Sequence, residues 1–182
     1  MKARSTLFAA AVLGALLAAA PAAAAAPAPA ARPAQADVSA QDREYLNRTH
    51  QNNLYEIVTG TLAERGGCAR VRELGPRFAE HHTALDADLI AVATGTGVML
   101  YSVPDNDQLT QIADLAARSG RDFDTAWLRD QVAAHLRATA LGEWETRYGW
   151  SSAVKALAAR SEPVLRHHLD ETLAAIEACA AT

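Results

Sequence analysis

The sequence predicts an all-α domain: a four-helix bundle with a long crossover between its second and third helices. Three observations carry the prediction. Beyond residue 38, apolar residues recur at spacings of three and four, the period of an amphipathic helix. No Asn-Gly or Asp-Gly pair occurs, and no segment alternates apolar and polar residues as a half-buried strand does. Glycine breaks at 66–67 and 149–150 leave short links, while residues 96–121 form a long one.

Ahead of the bundle lies a stretch of different composition. Lys2 and Arg4 precede an apolar run over 7–20, which is signal-peptide length. A membrane span needs about 20 apolar residues. The alanines at 22–26 offer A-x-A cleavage sites, and neither an Arg-Arg pair nor a nearby Cys is present. Residues 1–26 therefore read as a general secretory signal peptide, with an uncleaved anchor as the alternative. Residues 27–37, rich in Pro and Ala, read as a disordered tether. The domain is then 38–182, in a secreted, periplasmic or cell-envelope protein with no stable membrane span after cleavage. Alanine supplies 19 of the first 40 residues, so the 50% hydrophobic content overstates the core. With 17 basic and 21 acidic side chains the net charge is -4, and no Lys/Arg run exists, which excludes a nucleic-acid footprint.

The first helix is expected over 39–65, with Ser39 as N-cap and Gly66-Gly67 as stop. Leu46, Thr49, Asn53, Glu56, Gly60 and Ala63 form its stripe. The second spans about 68–93, with Leu74, Phe78, Leu85, Leu89 and Val92 on one face. Pro76 either bends it or marks its true start. In the long link, Val103-Pro104-Asp105 is a turn signal, and 109–117 suits a short helix. The third helix runs over about 122–148, with Phe123, Leu128, His135 and Leu141 inward. The fourth runs over 151–180, with Val154, Leu157, Val164, His168, Ala175 and Cys179 on one stripe and a kink expected at Pro163.

Cys68 and Cys179 are the two cysteines. In an exported chain an even count points to a disulfide, the alternative being two buried thiols. Cys68 lies where helices one and two meet. Helix four ends at that same place only if the long link crosses the bundle end to end. In simple up-down order the two cysteines lie tens of ångströms apart, against the ~7 Å limit for bridged Cα atoms. Bridge and crossover stand or fall together.

The inward stripes are not wholly apolar. Glu56, His82, His135 and His168 each sit on one, at depths that agree within about 6 Å in the crossover topology. Asp124 and Gln131 share the face of His135 and back the layer. One carboxylate and three imidazoles suit one divalent transition metal: Fe, Zn, Mn or Cu. The alternative is a closed Glu–His hydrogen-bond network with a purely structural role. His81 and His167 adjoin candidates on another face, although His81 also lies three after Phe78 and four before Leu85. His50 reads as off the main face, and Asp86 as a surface acid. Trp127, Trp144 and Trp150 read as packing. No Gly-rich phosphate loop, G-x-S-x-G, H-E-x-x-H or C-x-x-C occurs, so binding is favoured over catalysis. Any partner would be a protein or envelope component.

Four stretches give a family resemblance: Asn53-Leu54-Tyr55-Glu56-Ile57, Phe78-Ala79-Glu80-His81-His82-Thr83, Phe123-Asp124-Thr125-Ala126-Trp127-Leu128 with His135, and Glu162-Pro163-Val164-Leu165-Arg166-His167-His168-Leu169. The chain resembles the exported, ferritin-like "domain of unknown function 4142" proteins, often labelled predicted outer-membrane proteins, over about 40–177. The family pattern falls on Glu56, His82, Asp124, His135 and His168. The resemblance implies a ferritin-like bundle with the crossover, and no established activity. Di-iron bundles of the ferritin type carry a Glu-x-x-His pair on each of two helices. Here Ala79 and Leu165 stand where those carboxylates would be. A mononuclear site, or a structural one, fits better than a dinuclear ferroxidase.

Overall fold

The computed structural model describes residues 38–180. The signal peptide and tether assigned to 1–37 lie outside the described residues. Five α-helices form: α1 (Ala40–Leu62), α2 (Ala69–Thr96), α3 (Asn106–Ala116), α4 (Gly120–Tyr148) and α5 (Ser152–Ala180). Among the described residues there is no strand, and one isolated bridge joins Gly66 to Gly120.

Local chemistry sets the ends. Ser39 caps α1 through a capping box with Asp42. The α-helix stops at Leu62, three residues short of expectation, and a 3₁₀ turn over Ala63–Arg65 leads into the glycine link. Helix α2 runs through Pro76 without ending and reaches Thr96. Gly97 then takes the left-handed conformation (φ 69°) that terminates a helix and that side chains with a Cβ resist. Helix α3 begins earlier than the apolar pattern suggests, because Asp105 and Gln108 form a second capping box.

The topology follows from what the ends touch. The Cys68–Cys179 disulfide joins the start of α2 to the end of α5, with Cα atoms 5.6 Å apart. The Cys68 amide donates to Asp124 Oδ2 (2.9 Å), so α4 starts at this end too. At the opposite end, Asp42 Oδ1 accepts from the Trp150 and Ser151 amides (3.0 and 3.1 Å), tying the start of α1 to the link between α4 and α5. Helix α2 therefore runs away from the disulfide end, and residues 97–119, carrying α3, return to it. This is the end-to-end crossover, and the bridge and the topology agree.

Helices α1 and α2 approach closely where Gly60 faces Gly75. A Cβ on Gly75 would lie 2.6 Å from the Gly60 carbonyl oxygen and 2.1 Å from Ala63 Cβ. Apolar side chains form two clusters. One, near the disulfide, holds Val71, Leu74, Phe78, Phe123 and Trp127. The other, near the far end, holds Tyr45, Leu46, Leu89, Val154 and Leu157. Hydrophobic burial in both drives the assembly. The polar residues of interest belong to neither cluster. Among the described residues, no helix is long and apolar enough to cross a membrane.

Candidate metal centre

His82, His135 and His168 come together in the core from α2, α4 and α5. Each is 1% exposed or less. One ring nitrogen from each lies within 4.8 Å of the other two. His82 Nε2 stands 3.4 Å from His135 Nε2, and His135 Nε2 stands 3.1 Å from His168 Nδ1.

The hydrogen bonds behind the rings decide where the protons are. A carbonyl oxygen only accepts, so His135 Nδ1–H donates to Gln131 O at 2.9 Å, and His135 Nε2 is a bare lone pair. The amide of Asn53 is oriented by its own bond, Nδ2 donating to Asp86 Oδ1 at 3.2 Å. Its Oδ1 therefore faces His82 and accepts from Nδ1–H at 2.9 Å, which leaves His82 Nε2 bare as well. Two lone pairs thus face each other across 3.4 Å. Phe78 stacks on the face of His168 with centroids 4.1 Å apart, and His81 meets its edge, the two rings nearly coplanar. His168 Nε2 lies 2.8 Å from His81 Nδ1.

Protonation does not relieve the facing lone pairs near neutral pH. Burial, with the neighbouring imidazoles, holds His82 well below the ordinary histidine range. Burial lowers His135 to about 4. Burial, then the charges of His135, His81, His167 and Arg77, lowers His168 to about 3. The three rings are neutral and rich in lone pairs, the state in which imidazole binds metal.

Glu56 is not in this close group and connects to it through Gln131. Gln131 Nε2 donates to Glu56 Oε2 at 2.7 Å, and the Gln131 carbonyl takes the His135 proton. Gln131 precedes His135 by one turn of α4, about 6 Å along the axis. Burial pushes the Glu56 carboxyl up to about 8, against the opposing pull of Gln131. Glu56 Oε1 and Gln131 Oε1 are buried without a hydrogen-bond partner among the described residues. Asp124 stands apart, near the disulfide, holding the Cys68 amide.

Three expectations need correction. Asp86 is not a surface acid: it is 7% exposed, and its Oδ1 meets Nδ1 of His50, which lies off the main face as expected but is equally buried, at 2.7 Å. They lie on the flanks along which α1 and α2 pack, and Asp86 steers Asn53 toward His82. His81, assigned to another face, is half-buried and reaches His168 on α5. Of the tryptophans only Trp127 packs in the core, its Nε1–H donating to Thr59 O at 3.1 Å. Trp144 and Trp150 are exposed. His167 is exposed beside Glu171.

These features define a class: a disulfide-tied all-α bundle whose core carries three neutral, converging histidines able to hold a metal ion. The chain belongs to the family described as "Domain of unknown function (DUF4142)", whose model matches residues 26–174. No curated protein and no solved structure matches it.

Proposed function

We propose that this protein is an exported, ferritin-like bundle that holds one divalent transition-metal ion through His82, His135 and His168. Glu56 is the neighbouring carboxylate, either a fourth ligand or the counter-charge. The observation that carries the reading is the pair of bare Nε2 atoms on His82 and His135, 3.4 Å apart. A metal bound at the usual 2.0–2.1 Å by tetrahedral imidazoles separates its nitrogens by about 3.3 Å. The spacings of 3.4 and 3.1 Å match that edge within a few tenths. The donors suit Zn, Cu or Fe better than Mn, which prefers oxygen. A bound cation would draw the proton from Glu56, because opposite charge favours the carboxylate. Gln131 then orients both Glu56 and His135, while Asp124 acts at a distance by fixing the end of the bundle. The disulfide is compatible with an oxidising compartment, secreted or periplasmic, reached through a cleaved signal peptide. The role is binding rather than catalysis, with a protein or envelope component as the partner.

One observation favours a second reading, a purely structural network. His81 Nδ1–H can donate to His168 Nε2, and His168 Nδ1–H to His135 Nε2, leaving only His82 Nε2 unserved. Metal analysis of protein purified from the exported fraction separates the two. Stoichiometric metal that disappears in both His82→Ala and His168→Ala supports the centre. Absence of metal under metal-replete conditions refutes it.

A further inference from the structure

A cavity of about 1030 Å³ opens beneath the crossover and runs into the core, with walls from all four long helices. Its size is that of a small-molecule site. Its inner end is lined by Leu85, Leu89, Leu141, Leu157 and Leu165. Among these leucines stand four polar side chains, Tyr45, Thr49, Asn53 and Ser161. Thr49 and Ser161 are the polar neighbours of the Tyr45 hydroxyl, so the polar groups of the wall are gathered at one place. Thr49 lies on the inward stripe of α1 and yet is only half-buried, because the cavity reaches it.

The charged lining sits on exposed residues and cancels. Arg43, Arg48 and Arg137 are matched by Glu44, Asp105 and Asp107. Arg48 is already paired with Glu44 at 3.0 Å. Asp105 is engaged in capping α3. No ion of either sign is favoured, and the leucine-lined end would strip the hydration from one without returning a counter-charge. Ser161 donates its own proton to Leu157 O at 3.0 Å and so offers lone pairs only. At Ser161 a ligand can therefore only donate a hydrogen bond. Asn53 forms part of the wall and also accepts the His82 Nδ1 proton at 2.9 Å.

We propose that this cavity binds a small, neutral, mostly apolar molecule with one hydroxyl-type donor, an alcohol or phenol, beside the histidine centre. Binding rests on the cavity alone. Its coupling to the centre, through Asn53, rests on the metal reading.

The test uses the full chain, metal-free and cobalt-loaded, with benzyl alcohol as probe. Benzoate, benzylammonium and benzyl methyl ether serve as charged and non-donating controls. Amide NMR should show saturable benzyl alcohol binding centred on Thr49, Asn53 and Ser161. Both ions should bind at least about tenfold more weakly, the cost of burying an unpaired charge. The ether should lose about fivefold, the worth of one hydrogen bond. Ala138 lines the cavity, and Ala138→Phe, which takes up part of its volume, should abolish binding while leaving cobalt content unchanged. Ser161→Ala, which adds no bulk, should weaken the alcohol about fivefold and the ether not at all. If Ala138→Phe does not fold, the Ser161→Ala comparison decides. Absence of saturable alcohol binding, equal binding of benzoate, or indifference to both substitutions overturns the proposal. Cobalt loading reads the other claim separately: a protein that binds the alcohol and no cobalt refutes the metal centre and leaves the cavity site standing. In the loaded protein, the alcohol should shift the cobalt absorption bands, and an unchanged spectrum overturns the coupling.

Discussion

Replacing both cysteines with serine should cost this bundle a large part of its stability. The disulfide spans a sequence separation of 111. The chain-entropy relation assigns a loop of that length about 4.8 kcal/mol at 25 °C, as freedom denied to the unfolded chain. Measured values run lower, so a loss of about 3–5 kcal/mol is expected, equivalent to roughly 10–15 °C in Tm for a domain of this size. The native ends are held by other contacts, among them the Cys68 amide to Asp124 and the Gly66–Gly120 bridge. The variant should therefore fold, with unchanged helicity by circular dichroism. The assay is urea titration of oxidised wild type, reduced wild type and Cys68→Ser/Cys179→Ser. The midpoint should fall, and the m-value should rise, because an untethered unfolded chain exposes more surface. The two unbridged forms should coincide. A stability loss below about 1 kcal/mol, with helicity intact, would refute the claim that the bridge restrains the unfolded chain.

Other substitutions test the remaining contacts. Asp86→Ala should lower affinity for zinc about 10–100-fold in a chelator competition, because Asn53 loses the partner that orients it toward His82; Asp86→Asn should recover most of the loss. At the far end, burial and then the neighbouring Asp42 raise Glu145 to about 7. The folded state therefore binds this proton more tightly than the unfolded chain, whose value is near 4.5, and the contribution to stability declines as pH rises from 4.5 through 7. Glu145→Gln, which keeps a donor toward Asp42, should match wild type near pH 4.5 and exceed it by about 1–2 kcal/mol above pH 7 in denaturant titrations, after allowance for screening. A constant difference across that range would refute the assignment. Gly75→Ala should destabilise by about 1–3 kcal/mol, since its Cβ would fall 2.1 Å from Ala63 Cβ. Gly95→Ala meets nothing within 4 Å, and should stabilise by about 0.5–1 kcal/mol.

The sequence reveals the bundle because helix period and glycine breaks are local signals, and the crossover because two cysteines connect distant points. It reveals His82, His135 and His168 because an inward stripe is a single-helix property. It conceals what depends on two helices at once. His50 lies six residues from Glu56, off the centre of the stripe, yet a bundle helix also buries the flanks it presents to its neighbours. That flank is where His50 finds Asp86. Depth is the other weak coordinate. Asp124 shares a face with His135 but precedes it by eleven residues, about 16 Å of axial rise, so it serves the disulfide end instead. The depth of Glu56 is likewise defined by the sequence only to within about 6 Å, about one helical turn, which is too coarse to tell a ligand from a neighbour.

The tautomers give the strongest reason to read the layer as a binding site. A core that needed only satisfied polar groups would set a donor opposite each acceptor. Here the donors of His82 and His135 are drawn outward, by Asn53 on α1 and by the Gln131 carbonyl on α4. The Asn53 amide is itself fixed by Asp86, so its orientation is imposed from α2. Both inward atoms are consequently acceptors, and buried acceptors facing each other carry a cost that nothing within the two rings removes. Burial suppresses the proton that would bridge them, keeping His135 at about 4. A proton from His168 Nδ1 can serve His135 Nε2 but leaves His82 Nε2 unserved, whereas a transition metal on three imidazoles complements every inward lone pair, and that is the ground for the proposed centre.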